Sequence, residues 1–198
     1  MYRKFVKSSF DFIFALFALF LFLPILLLIS ILILFLDKLN PFFVQERVGK
    51  NAKSFRIYKF KTMTDAKDAK GNLLNEERRV TQLGKWLRKS GLDELPQLFN
   101  ILKFEMSFIG PRPLPVYYID LKDKLQRDRH RVLPGITGLA QITGRNSLKW
   151  PEKYRLDNYY IENQTFWLDL NIFLKTIYSS NGYDAVNFEN VIPKKKAE

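Results

Sequence analysis

Two carboxylates stand side by side at Asp93-Glu94, in a stretch otherwise dominated by cations. Such a pair can supply a nucleophile toward phosphorus or a ligand for a hard cation. A purely structural reading stands beside these. Ser90-x-x-Asp93 fits a capping box, and acids are common in first helical turns. The surrounding cations suit phosphate. Lys59 and Lys61 alternate along a strand, so they share a face that could grip a diphosphate or shield an exposed edge. Arg88 precedes the acidic pair. Arg112 is held between Pro111 and Pro113, whose fixed φ angles limit where its planar fork points. The segment from Gly135 to Arg145 carries three glycines, which lets backbone approach a ligand closely, and Arg145 closes it. It contains neither a Walker pattern nor G-x-G-x-x-G, so nothing supports ATP-type phosphate binding. His130 is expected at the surface or at a helix C-terminus. Asp157 can pair with Lys153, four residues earlier, or touch substrate.

Composition narrows the chemistry. There is no cysteine and one histidine, which removes disulfides, thiolate metal sites and His-rich cages. A metal here must be hard and oxygen-bound, and the Asp93-Glu94 carboxylates are candidate ligands for one. The net charge of +12 attracts polyanions: nucleic acid, anionic headgroups or phosphorylated small molecules.

The elements that must position these residues begin with a membrane segment. Residues 12–36 carry no charge. As one helix they would reach roughly 37 Å, enough to cross a hydrocarbon core of about 30 Å. Pro24 sits at the midpoint, where it removes a backbone donor and crowds the carbonyl of Phe20, so a kink is expected. Arg3, Lys4 and Lys7 favour a cytoplasmic N-terminus, and the basic body after Asp37 favours the same side. A re-entrant helix-break-helix, turning at Pro24, satisfies both ends; an ordinary spanning helix is the alternative. The chain divides into an anchor, 1–37, and one body, 38–198.

In the body, 42–48 and 55–62 read as a β-hairpin around the polar turn 49–53. A polar loop covers 64–72 and a helix 74–89. Another helix runs from Leu92 to about Lys103 with Pro96 in its first turn. A proline-rich turn at 110–113 leads to a helix over 116–130, then a loop over 134–146. Pro151 opens a further helix. Leu170, Phe173, Leu174 and Ile177 form an apolar helical face that packs in the core or lies on a membrane. The tail Lys194-Lys195-Lys196 is a solvated end that can touch headgroups. The fold class is α+β, mostly helical: a re-entrant anchor plus a small compact domain containing a short hairpin.

In combination, these segments resemble a known family. Ser90 through Pro113 (SGLDELPQLFNILKFEMSFIGPRP) closely resembles the signature of the bacterial sugar transferases, the monotopic polyprenyl-phosphate phosphoglycosyl transferases. Lys59-Phe-Lys-Thr-Met63, Pro134 through Asn146 (PGITGLAQITGRN) and Asp157-Asn-Tyr-Tyr160 are similar to its other motifs, in the family's order. Two positions depart: Phe104 replaces a usual glycine, and Leu23 replaces the serine many relatives carry before the membrane proline.

The resemblance implies an enzyme of the inner membrane, with its catalytic body on the cytoplasmic face. It implies a UDP-sugar donor, with an N-acetylated sugar such as N,N'-diacetylbacillosamine, and undecaprenyl phosphate as acceptor. Asp93 would attack the sugar-linked phosphorus and expel UMP, and Glu94 would bind Mg²⁺ or manage protons. Lys59, Lys61, Arg88, Arg112 and Arg145 would hold phosphates, with Asp157 a further substrate contact. Membrane lipid is an implied partner and nucleic acid is not. The rival from another class is a tethered basic module that binds nucleic acid or anionic lipid without catalysis.

Overall fold

The computed structural model describes residues 2, 6–144 and 147–179. Arg3, Lys4, Arg145 and the lysine tail fall outside the described residues.

The apolar run forms helix α1 (Lys7–Leu32), prolonged by a π-helical turn at Ile33–Asp37 that ends where Lys38 takes a left-handed conformation (φ 55°). Among the described residues it is the one helix long and apolar enough to cross a membrane. Helical structure continues through Pro24, which removes one backbone donor on an exposed side without ending the helix. Lys7, Asp11, Ala15, Leu26, Ile29 and Ile33 are buried, with partly buried Leu19 and Phe22 between them. These positions recur every three or four residues, so they form one continuous stripe. The stripe packs on the body throughout. Ala15 meets Leu98 and Ile101; Ile29 and Ile33 meet Phe60 and Leu87. Lys7 pairs with Asp169 at 2.8 Å, and Asp169 also accepts from the Tyr2 and Tyr160 hydroxyls at 2.6 and 2.7 Å. At the far end, Thr81 donates to Asp37 at 2.8 Å.

Strands β1 (Phe42–Val48) and β2 (Ser54–Phe60) form the expected antiparallel hairpin, in register from Phe42↔Phe60 to Val48↔Ser54. The helix expected over 74–89 is two, α2 (Glu76–Arg79) and α3 (Gln82–Ser90). Val80 is extended there and bridges Met63, and the Thr81 hydroxyl caps α3 by accepting from the Gly84 amide at 2.8 Å. Two β-branched residues with better bonds elsewhere break the run. The next helix begins as a 3₁₀ turn, Leu92–Gln97, and continues as α4 (Leu98–Leu102).

A second sheet was not visible in the sequence. Strands β3 (Ser107–Ile109) and β4 (Gly135–Thr137) pair in parallel, and between them α5 (Lys124–Asp128) replaces the continuous helix expected over 116–130. Asp123 caps α5, accepting from the Leu125 amide, and so divides that stretch. The segment read as a loop also holds α6 (Leu139–Thr143). Its glycines bring backbone to backbone: a Cβ at Gly135 or Gly138 would sit inside the main chain of Gly110.

Helix α7 (Trp150–Asn163) starts at the expected proline, and Glu152 accepts from the Lys149 amide at 2.7 Å. Helix α8 (Phe166–Ser179) buries Ile172 against Leu156 and Tyr160. Its predicted apolar face is not core: Phe173, Leu174 and Ile177 are exposed, as are Phe166 and Trp167 at its start.

Candidate active site

The 3₁₀ turn carrying Asp93 and Glu94 packs across β2, whose neighbouring strand β1 completes one wall of a small pocket. Arg47, Lys59, Glu94, Gln97 and Arg112 supply its polar lining. The expected capping box does not form. Ser90 Oγ instead donates back to the carbonyls of Trp86 and Leu87, and Gly91 (φ 72°) turns the chain out of α3 into the acidic turn. This frees Asp93 from a capping duty.

The two carboxylates meet different surroundings. Burial pushes Glu94 upward, but the charges of Lys59 and Arg112 outweigh it and hold the group below its ordinary value. Lys59 Nζ lies 2.5 Å from Glu94 Oε1, and Arg112 reaches the same oxygen at 3.4 Å. Burial raises Asp93, with the neighbouring Glu94 charge adding to it, while Lys59 and Arg88 pull the other way. One acid is ion-paired through one oxygen and the other is not, and their carboxyls are pushed in opposite directions.

The predicted cations separate into groups. Lys59 and Arg112 converge on Glu94. Arg88 acts on Asp93 through charge, and its Nε donates to Thr62 Oγ1 at 2.9 Å. Lys61 leaves the site: β2 ends at Phe60, and the Lys61 ammonium pairs with exposed Asp65 at 2.5 Å. Asp157 is fully buried in α7 and bonds Arg129, not Lys153, at 2.7 and 3.0 Å. Arg129 in turn donates to the Arg112 carbonyl at 2.8 Å, so the pair supports the rigid turn behind the site. His130 is buried rather than exposed. Burial, with Arg129 beside it, lowers its pKa to about 4, and it contacts the Gly49 backbone at the hairpin turn.

Arg47 and Gln97 line the pocket but were absent from the candidates read in the sequence. The signal for Arg47 was available: pairing the hairpin symmetrically about residues 49–53 sets Gln45 against Ile57, and therefore Arg47 on the face of Lys59.

Glu94 Oε1 takes both cations, while Asp93 makes no ion pair among the described residues, so a hard divalent ion here would find at most the Asp93 carboxylate and the other oxygen of Glu94. No group of three or more His, Cys, Asp or Glu gathers among the described residues, so substrate phosphate oxygens and water would complete the shell, as Mg²⁺ commonly requires.

Comparison with known proteins bears on this geometry. Residues 2–181 match the family model for bacterial sugar transferase. A sugar transferase of Bacillus subtilis (strain 168), EpsL, is 52% identical over 136 residues, covering 69% of this chain and 67% of that protein. The exopolysaccharide production protein ExoY of Rhizobium meliloti (strain 1021) is 40% identical across 86% of this chain and 83% of its own length. The UDP-N-acetylgalactosamine-undecaprenyl-phosphate N-acetylgalactosaminephosphotransferase of Aeromonas hydrophila is 40% identical across 87% of this chain, which spans 43% of that longer protein. With the family model matching across the acidic turn, the hairpin and the glycine segment alike, the chain belongs to the bacterial sugar transferase family and is a phosphoglycosyl transferase.

Proposed function

We propose that the chain transfers a phospho-sugar from a UDP-sugar to undecaprenyl phosphate, releasing UMP, as the first membrane step in building a glycoconjugate. The observation that carries this reading is the asymmetry of the acidic pair: an open, desolvated Asp93 beside a Glu94 locked by Lys59 and Arg112. Asp93 attacks the sugar-linked phosphorus, the bond to the bridging oxygen breaks, and UMP departs. The acceptor phosphate then attacks the same phosphorus and regenerates Asp93. Lys59 and Arg112 fix Glu94 and, with Arg88, offset phosphate charge, since phosphoryl transfer depends chiefly on positioning and neutralisation. Asp93 and Glu94 would hold Mg²⁺, which would supply further neutralisation of phosphate charge. The donor sugar we propose is N-acetylated, as in the name of the Aeromonas relative, with N,N'-diacetylbacillosamine one candidate; other relatives are named for galactose.

The packing of α1 supports a monotopic chain at the inner membrane, with both ends of the helix on the cytoplasmic face. Twenty-six residues extend roughly 39 Å. The body touches that helix from Lys7 to Ile33, so crossing the bilayer along its axis would carry polar body into hydrocarbon. The exposed aromatic face of α8 suits the headgroup layer, where the acceptor's phosphate lies.

The test is UMP release from a panel of UDP-sugars by the full chain in lipid nanodiscs containing undecaprenyl phosphate. Release that requires Asp93 supports the proposal. Equal release by Asp93→Asn contradicts it.

A further inference from the structure

Arg47 has had no part in the mechanism above, yet it lines the pocket with Lys59, Glu94 and Arg112. It stands near the end of β1, where a single bridge to Pro115 ties the strand to the proline-rich turn. Its guanidinium is held firmly. Nη1 donates to the Pro113 carbonyl at 3.2 Å and Nη2 to Gln45 Oε1 at 2.6 Å. Its buried Nε has no partner. An arginine carries five N–H donors in a fixed fork, and donor capacity remains here after those two bonds.

Asp93 feels Lys59 and Arg88; Glu94 feels Lys59 and Arg112; Arg47 feels Arg112 and Glu94. Glu94, bonded by Lys59 and Arg112, stands in the pocket wall with Arg47, while Asp93 precedes it in the turn and does not line the pocket. The pocket thus gathers two guanidiniums, and the proposed nucleophile stands outside its lining. Glu94 is already bonded to Lys59, so it cannot neutralise both arginines. The pocket carries surplus positive charge that an anion would relieve.

We propose that Arg47 binds the departing phosphate of the donor, the nucleoside monophosphate, and neutralises the charge that develops on it. The inference rests on the proposed transfer by Asp93. An in-line displacement puts the leaving oxygen opposite the attacking one. When an Asp93 oxygen bonds to the sugar-linked phosphorus, the bond to the bridging oxygen breaks. The bonding pair stays on that oxygen, so the nucleoside phosphate gains negative charge at the end away from Asp93. Arg112, 52% exposed at its side chain, can follow that phosphate; Arg47, pinned by Pro113 and Gln45, is preset to receive it. Preset donors aimed at developing charge act more strongly than ones that must reorganise.

The experiment measures UMP binding directly, together with the exchange of labelled UMP into UDP-sugar, using the full chain in lipid nanodiscs. Arg47→Gln should weaken UMP binding roughly 10- to 100-fold, as expected for loss of a charge-assisted bond. Arg47→Lys, which keeps charge and stem, should fall between this variant and the wild type and guard against a folding defect. Exchange should slow in the same order, while discharge of preformed phospho-sugar intermediate by undecaprenyl phosphate keeps its rate. Arg127→Gln, a surface charge outside the site, should change none of these. If both Arg47 variants bind UMP within twofold of wild type, or if the loss falls on acceptor discharge instead, this inference is overturned. A wild type that binds UMP tightly and Arg47-dependently but transfers nothing would sink the transfer reading and leave the phosphate site standing.

Discussion

Burial raises the Asp93 carboxyl while Lys59 and Arg112 hold Glu94 low, and each residue makes a prediction from that difference. Asp93→Asn abolishes turnover. The folded protein disfavours the ionised form of Asp93, so its charge subtracts from stability once the pH rises above the ordinary value of an aspartate. The variant's melting temperature at pH 7 is therefore no lower than wild type; a clear drop would show that Asp93 is a structural residue. The sign for activity follows from the same shift. The nucleophile must be ionised, so kcat/KM falls on acidification with a midpoint above the ordinary 3.8 of an aspartate. A limb at or below that value contradicts the desolvated nucleophile. Glu94→Gln and metal removal by EDTA both cost activity, and full turnover in excess EDTA would exclude Mg²⁺. The acidic pair, Lys59, Arg88 and Arg112 were legible because their types and local spacing already suggested phosphate chemistry. Lys61 and Asp157 were not, since strand termination and long-range pairing decided where they went. Arg145 lies outside the described residues.

The supporting elements depend on contacts far apart in the chain. Arg129 and Asp157 are each 3% exposed; among the described residues their side chains bond one another, and Arg129 also donates to the Arg112 carbonyl. Arg129→Met leaves a buried carboxylate unpaired and should destabilise the protein by about 3–5 kcal/mol, readable by chemical denaturation. A cost under about 1 kcal/mol, the range of exposed pairs, would contradict that burial. His130, lowered from 6.5 to about 4, is neutral in the fold. Its contribution is present above pH 6.5 and lost as pH falls toward 4, so His130→Gln flattens the stability profile across that window. An unchanged slope would dismiss the assignment. Phe104 explains its own departure from glycine. It adopts a left-handed φ of 58° just after α4, and it stacks on Phe12 of α1 at 5.4 Å. A helix terminus there needs the left-handed conformation, and the ring contact offsets its strain. The hairpin was readable from alternation, and α7 from its proline. The β3–β4 pair was not: three-residue strands carry little periodicity, and their partners are joined by glycines whose role is close backbone contact.

At the scale of the whole molecule, the anchor and the body are one packed unit. The stripe from Lys7 to Ile33 could not be read in residues 12–36, because an all-apolar run hides which side faces protein. That packing predicts that Lys4→Cys and Lys70→Cys are labelled from the same side of an intact membrane; labelling of the first only from the opposite side would refute the monotopic arrangement. On the mechanism we propose, Asp93 carries the phospho-sugar between donor and acceptor. Mass spectrometry of the full chain, incubated with UDP-sugar while undecaprenyl phosphate is withheld, tests that step. The predicted result is one phospho-sugar mass added to the peptide containing Asp93, lost when undecaprenyl phosphate is supplied. UMP release that occurs only with acceptor present, and leaves Asp93 unmodified at every time point, would contradict it.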